Sequence, residues 1–418
     1  MSTVSIVNGR GIPRASSASM VVDWLQVLQV PLRMAHGLQV IRSADALARR
    51  EHQVRVFLRG GTARDGVSAL ESALGRAAAP GLSLVHLAAH KGLAGLQLRA
   101  AILRFALGGR RASPARAWVA RERSLARFAL GATRALHSRA ALVYELHNLE
   151  HVLAAETGRG AEVDGLLREE RALARRAQGL LAISAPLAAD AEAALEPARP
   201  IQVVPDGVDP RPFDELAPPR LFEGEVLQLA YAGSLYTHKG VDSLFDMAAA
   251  LARRSGNKNF VLRIAGGEPA SELARLGERA RDLAREGVRI ELLGNLDPRE
   301  VPAFLRGADL LVLPASQEAR SQRYTSPLKL FEALASGVPI VAAASEAHRS
   351  VLEHGRTAWL AAGRTGEELA AAVQAAVQDP VRSRALARAA RQEVERYTWD
   401  RRAEALESAL AEAVAARG

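Results

Sequence analysis

The chain has 418 residues, of which 49% are hydrophobic, 24% charged and only 4% aromatic, with no cysteine and a net charge of +9. That length and composition suit two or three domains with Leu-, Val- and Ala-rich cores, and the missing cysteine excludes disulfides, thiolate metal sites and a cysteine nucleophile. The first residues lack the charged, apolar and cleavage regions of a signal peptide, and no run approaches the roughly 18 apolar residues of a membrane span, so a cytoplasmic location is expected. The charge is uneven: residues 91–139 carry ten Arg and one Lys against the single acid Glu122, a local net of +10 that leaves the rest near neutrality.

Residues 4–7 read as a first strand running into Asn8, Gly9, Arg10 and Gly11, a turn open enough to approach a ligand. Residues 38–50 have helical spacing and 53–58 suit a strand. Gly37 allows a close backbone approach at that helix start, where Arg33, His36, Gln39 and Arg42 gather. Gly9, Gly11, Arg33, His36, Gly37 and Arg42 are the acceptor-binding candidates. After a strand at 83–87, Leu93, Leu96, Leu98, Ile102, Leu103 and Phe105 interleave with Arg99 and Arg104. Trp118, Leu125, Phe128 and Leu130 do the same with Arg121, Arg123 and Arg127. This pattern fits basic amphipathic helices lying on an anionic membrane surface, and equally a solvated arginine-rich face. Nucleic acid is not expected, because aromatics are few and no binding motif is present. A strand at 141–144 delivers Glu145, Leu146, His147 and Asn148 to its C-terminal end, where ligands of open α/β sheets gather. His147 is the candidate histidine at the reacting centre. A helix at 162–176, a strand at 179–183, a helix capped by Ser184 and a strand at 201–204 continue an alternation that argues for a parallel sheet covered on both faces.

Residues 210–219 contain four prolines and form the expected linker. The second half opens with a strand at 227–232, followed by Gly233, Ser234, Leu235, Tyr236, Thr237, His238, Lys239 and Gly240, then a helix at 241–253. A glycine turn with a lysine ahead of a helix suits phosphate. Strands at 260–265, 289–293 and 309–313 end in Gly266 and Gly267, in Gly294, Asn295 and Leu296, and in Pro314. Residues 324–345 then read as loop, helix and buried strand. Thr325 and Ser326 are capping residues, Pro327 suits the first helical position, and Leu328, Leu330, Phe331, Leu334 and Ala335 form an apolar face. A capped helix start presents free N–H groups and a positive dipole end, Lys329 adds a full charge, and Glu332 follows one turn later. Phosphates at the helix end and lysine, with ribose hydroxyls at the carboxylate, fit this arrangement; so does an ordinary capped helix before a core strand. Helices at 366–378, 381–396 and 401–415 finish the chain.

Five spaced segments, IQVVPDGVDPRPF, YAGSLYTHKGVDSL, GVRIELLGNLDPREVPAFLRGADLLVLPAS, SPLKLFEALASGVPIVA and RYTWDRRAEAL, resemble the retaining glycosyltransferases of family 4, with VYELHN as the main match in the first half. The resemblance implies an α/β GT-B fold: two doubly wound parallel-sheet (Rossmann-like) domains facing a central cleft. The expected boundaries are 1–209 for the acceptor domain, 210–396 for the nucleotide-sugar domain and 397–418 for a helix returning to the first domain. Carried over by position, Lys239 matches the lysine on the donor diphosphate and Glu332 the second glutamate of an E-x7-E motif, on the ribose. Gly294 to Leu296 match the segment meeting the base, and His147 the histidine near the sugar. The implied donor set is Gly233, Ser234, Lys239, Gly266, Gly267, Asn295, Leu296, Glu318, Tyr324, Thr325, Ser326, Pro327, Leu328, Lys329 and Glu332, with His147, Lys239 and Lys329 catalytic. Two positions depart from the family. Ser234 stands where arginine is frequent, which leaves that charge to Lys329 and the adjacent helix start. Tyr324 stands where the first glutamate belongs, and Glu318 is either that carboxylate displaced by an insertion or a solvated side chain.

The implied reaction moves a sugar from a UDP or GDP sugar to an acceptor hydroxyl with retention. No metal or other cofactor is expected, since no Asp-x-Asp or histidine cluster is present. The basic stretch favours a lipid-linked or anionic acceptor in envelope polysaccharide or glycolipid assembly, with peripheral contact at the inner face of the membrane. A small natural-product acceptor, a sugar-nucleotide epimerase, a non-catalytic sugar-nucleotide-binding protein and pyridoxal-dependent phosphorylase chemistry are the alternatives.

Overall fold

The computed structural model describes residues 6–8, 19–32, 35–110, 114–255, 259–315, 318–326 and 328–417. The chain divides into two compact units, one made of Met1–Pro205 with Trp399–Gly418 and the other of Asp206–Thr398.

The first unit is built on eight strands: β1 (Ile6–Asn8), β2 (Met20–Gln29), β3 (Gln53–Arg59), β4 (Leu82–Leu87), β5 (Ala115–Ala120), β6 (Ala141–Leu146), β7 (Gly179–Ala182) and β8 (Gln202–Val203). Their order is β1-β4-β3-β2-β5-β6-β7-β8, parallel throughout except for β1, which runs antiparallel at the edge beside β4. The strand order therefore reverses between β2 and β5, and the carboxyl ends there are where such a sheet presents a ligand crevice.

Two expectations are corrected. The strand at the reversal is β2, unannounced by the residue pattern, whereas the expected first strand is the short edge strand β1. The sequence MVVDWLQVLQ disguises a central strand because Asp23 interrupts its apolar run. That carboxylate is fully buried and takes a two-pronged grip from Arg55 of β3, with Nε to Oδ1 at 2.5 Å and Nη2 to Oδ2 at 2.7 Å. Arg55 adjoins in space and lies 32 residues away in sequence, so the pattern alone hides the compensation. Likewise, the basic stretch is not two amphipathic helices running through Trp118. Its middle is β5, whose AWVA run is buried as a central parallel strand requires. Trp118 is wholly enclosed, with its ring 5.4 Å from that of Phe105. The helices either side are Lys91–Gly108 and Arg123–Ala135.

The second unit holds β9 (Leu227–Ala232), β10 (Phe260–Ala265), β11 (Arg289–Gly294), β12 (Leu310–Leu313), β13 (Ile340–Ala342) and β14 (Trp359–Leu360), all parallel, in the order β11-β10-β9-β12-β13-β14. Here the order reverses between β9 and β12. Both units are thus doubly wound α/β sheets, each with its own core.

Helix Trp399–Ala415 completes the first unit. Leu406, Ala409, Leu410 and Ala413 join Val119, Val143 and Leu181 in one buried cluster. Among the described residues no helix is long and apolar enough to cross a membrane. Leu406 has no exposed surface. Leu406→Ala is therefore expected to remove about 2–5 kcal/mol from the stability of the first unit, read by urea denaturation.

Candidate functional site

The carboxyl ends of β9, β10 and β11 are bound to one another through backbone. Gly233 N–H donates to the Ala265 carbonyl at 2.9 Å, and Gly266 N–H to the Gly294 carbonyl at 2.7 Å. The glycines are needed because these loops are pressed together: a Cβ on Gly266 would overlap the Gly233 carbonyl, and one on Gly267 would sit 2.8 Å from Asn295 Cγ. Gly233, Gly266, Gly267, Gly294 and Asn295 are therefore one neighbourhood, beside the point where the strand order reverses.

Lys329 reaches the same place from the start of helix Leu328–Ser336. Its Nζ donates to Tyr231 Oη at 3.2 Å and lies 4.7 Å from the centre of the Tyr231 ring. Its stem passes Gly233, whose missing Cβ would lie 3.5 Å from Lys329 Cδ. The Tyr231 hydroxyl in turn donates to the Ser234 carbonyl at 3.1 Å, and burial pushes its pKa up so that it keeps its proton. Among the described residues no carboxylate forms an ion pair with Lys329, and burial lowers its pKa to about 8. An ammonium resting on an aromatic face and a hydroxyl, without a counter-charge, is an anion site by its chemistry.

Neighbouring groups were not legible in the sequence. Tyr231 is the last but one residue of an ordinary buried strand, and nothing local marks it as a lysine support. His348 is buried with Nδ1 2.8 Å from the Ala343 carbonyl. Burial, helped by the Lys329 charge and opposed by that carbonyl, pushes its pKa down to about 4, so it is neutral.

The remaining donor candidates differ in exposure. Ser234 and Lys239 are half-buried on the loop after β9, where Thr237–Lys239 form a single tight turn closed by Gly240 at φ 77°. Leu296, Thr325, Leu328 and Glu332 are half-buried, Tyr324 is buried, and Asn295 and Glu318 are exposed. Ser326 is buried, and its hydroxyl accepts the Asp206 N–H at 2.9 Å. Pro327 lies outside the described residues.

In the first unit, the end of β6 carries a second constellation. Glu145 is wholly buried and pairs with Arg402 of the C-terminal helix, and its other oxygen meets His147 Nε2 at 3.0 Å. Burial raises the Glu145 pKa, but Arg402, His147 and Arg121 outweigh it and hold the carboxylate ionised well below the usual range. Burial lowers the His147 pKa, and Arg121 and Arg402 add to that, against the pull of Glu145.

The acceptor candidates are less uniform. His36 is exposed in the first turn of helix Ala35–Arg49, and burial of its ring and the charge of Arg121 lower its pKa. Gly37 lies within that helix instead of ahead of it. A Cβ there would make only ordinary contact, 3.7 Å from Leu32, so no close approach demands a glycine. Arg42 donates to the Ala73 carbonyl at 3.3 Å and covers the Trp399 ring at 5.9 Å, which gives it a packing role. Gly9, Gly11 and Arg33 lie outside the described residues. Ser184 does sit at a helix N-cap, but its hydroxyl makes no cap bond and is buried without a partner. Among the described residues no group of three or more His, Asp or Glu is placed to hold a metal ion.

Comparison with known proteins bears on the family and the fold. The family described as "Glycosyl transferases group 1" matches residues 227–379, and "Glycosyltransferase Family 4" matches residues 37–211. The chain belongs to this family of GT-B glycosyltransferases. The D-inositol 3-phosphate glycosyltransferase of Corynebacterium aurimucosum is 29% identical over 189 residues, which are 44% of this chain and 43% of that protein. The chain thus spans less than half the length of that relative. The structure of Anabaena Alr3699/HepE in complex with UDP and glucose superposes with a TM-score of 0.69 at 18% identity, covering 94% of this chain and 99% of that one. Sucrose-phosphate synthase from Thermosynechococcus elongatus gives 0.68 at 17% identity, over 95% and 100%. At such identities the likeness is one of fold.

The uncompensated Lys329 gives a sign to the pH dependence of stability. Its folded pKa of about 8 lies below the ordinary lysine value of 10.5. Between those values only the unfolded chain holds the proton, so stability rises with pH through that window. Lys329→Met should stabilise the protein at pH 7 by about 1–3 kcal/mol, and the gain should fade towards pH 10.5, read by urea denaturation across pH.

Proposed function

We propose that this protein transfers a sugar from a nucleotide diphosphate sugar, UDP- or GDP-linked, to an acceptor hydroxyl with retention of anomeric configuration, without a metal ion or other cofactor. The observation that carries the reading is the half-buried Lys329, whose amine forms no ion pair among the described residues, beside the close-packed glycine loops of β9 and β10. A diphosphate has the charge that suits such a site. UDP bound to the Anabaena protein of the same fold supports the donor class.

As the sugar–phosphate bond breaks, negative charge grows on the departing diphosphate. Lys329, Lys239 and the N–H groups at the start of helix Leu328–Ser336 are fixed donors for that charge, already in place before the reaction. The arriving diphosphate raises the Lys329 pKa and so strengthens its own binding. The departing phosphate oxygen takes the proton of the attacking hydroxyl on the same face of the sugar. Glu332 takes the ribose hydroxyls, and Asn295 and Leu296 the base. His147 meets a hydroxyl of the transferred sugar or of the acceptor.

The acceptor is anionic or lipid-linked, used at the inner membrane face in envelope polysaccharide or glycolipid assembly. Helix Lys91–Gly108 supports this: Leu93, Leu96, Leu103 and Leu107 are 55%, 61%, 40% and 46% exposed at helical spacing, among exposed Arg99, Arg104 and Arg110.

A panel of nucleotide sugars, screened by thermal shift and then by mass spectrometry of products, identifies the donor. Lys239→Ala should lower turnover at least tenfold; near-normal turnover contradicts the assignment of that lysine. In flotation with phosphatidylglycerol vesicles the wild type should float, whereas Leu96→Asp/Leu103→Asp should stay in the bottom fraction. A wild type that also stays there removes the membrane contact.

A further inference from the structure

The imidazole of His147 has two nitrogens, and the structure assigns them different work. Glu145 is ionised and wholly buried, and a carboxylate can only accept a hydrogen bond. The 3.0 Å contact between Glu145 Oε2 and His147 Nε2 therefore requires the proton on Nε2. In the neutral ring this leaves Nδ1 with a lone pair. Among the described residues nothing hydrogen-bonds to Nδ1, and the side chain keeps 16% of its surface exposed.

What holds Glu145 in that attitude is not local. Its other oxygen is taken by Arg402 Nη2 and faces Gln39 Nε2 at 3.5 Å. Arg402 is itself fixed at every other edge of the guanidinium. Nε donates to Ser43 Oγ at 2.8 Å, and Nη1 donates to the carbonyls of Val204 at 2.6 Å and Pro205 at 2.9 Å. Four partners on three segments, all within the first unit, leave the fork one orientation, and that orientation presents Nη2 to Glu145. The charged groups facing His147 are Glu145 from its own strand end, Arg121 from the end of β5 and Arg402 from the C-terminal helix.

We propose that Arg402 is a positioning residue for His147: by anchoring Glu145 it fixes the imidazole as the Nε2–H tautomer, so that Nδ1 accepts a hydrogen bond from a substrate hydroxyl. The hydroxyl's identity rests on the function proposed above, whereas the tautomer does not. A ring held this way takes a sugar or acceptor hydroxyl and cannot, while neutral, donate to a phosphoryl oxygen. His147 thus serves the hydroxyl side of the reaction, and the diphosphate is left to the lysines.

The test is the nitrogen spectrum of the histidine rings in the full chain labelled with 15N-histidine, with His147→Gln identifying the signal. The wild type should show His147 protonated at Nε2 and bare at Nδ1. Glu145→Gln offers an amide that donates as readily as it accepts, so the Nδ1–H tautomer should appear. Arg402→Lys keeps the charge but loses the fork, and should also give a mixture. With the donor found by the screen, both variants should lose at least tenfold in kcat at unchanged donor KM, and calorimetry with UDP or GDP, whichever that donor carries, should give unchanged affinity. A purely structural role would instead lower the melting temperature and leave the tautomer of the folded fraction alone. Nδ1–H in the wild type, or a single Nε2–H tautomer in folded Arg402→Lys, overturns the proposal. If Glu145→Gln does not fold, the wild type and Arg402→Lys still decide it. The stated tautomers without transfer from any donor sink the transferase reading alone, and transfer with the wrong tautomer sinks this one alone.

Discussion

Taking a charge out of water costs several kcal/mol unless a partner is supplied, and this chain treats two cations in opposite ways. Arg402 is met by Glu145, by a serine hydroxyl and by two backbone carbonyls, so that every edge of the guanidinium is satisfied. Lys329 is given the aromatic face and hydroxyl of Tyr231 and, among the described residues, no acid. The first arrangement locks the C-terminal helix, the end of β6 and the exit of β8 into one geometry. The second stores unmet electrostatic demand in a place where the backbone has been stripped of side chains.

Both arrangements depend on the parallel sheets. A parallel strand order sends every carboxyl end to one edge, and the reversal of order parts the loops that follow. Glu145 and His147 stand at the end of β6 in one sheet, and Gly233 stands at the end of β9 in the other. The glycines then set how near a ligand can come. A Cβ on Gly266 would strike the Gly233 carbonyl, and one on Gly233 would strike the Tyr231 hydroxyl, so glycine at both positions leaves room for the surface over which Lys329 lies.

The second half of the chain was the more legible. The strands at 227–232 and 260–265 are found with the bounds that their apolar runs suggested, because a strand buried on both faces carries a local signal. Lys329 also stood out from its own neighbours, as a cation at a capped helix start, although its seat on Tyr231 did not. What escaped notice depends on partners far along the chain. β2 looks unlike a central strand until Arg55 is known to neutralise Asp23. Tyr231 is a core residue until Lys329 arrives 98 residues later. Arg402, in the final helix, has nothing in its sequence surroundings to set it apart from Arg401, yet one is buried and the other exposed. Periodicity reports on faces of elements, and these are facts about which faces meet.

The membership of helix Trp399–Ala415 in the first unit bears on how the protein is made. The earlier-synthesised unit lacks Leu406, Leu410 and Ala413 from its interior until residues 399–415 have been made, whereas residues 206–398 are contiguous and have their entire interior available sooner. Vectorial synthesis thus presents the two halves for completion in the reverse of their order in the gene. Until then the nascent first half lacks the cover of this helix over its sheet and lacks Arg402 as the partner of Glu145, a species suited to chaperone capture.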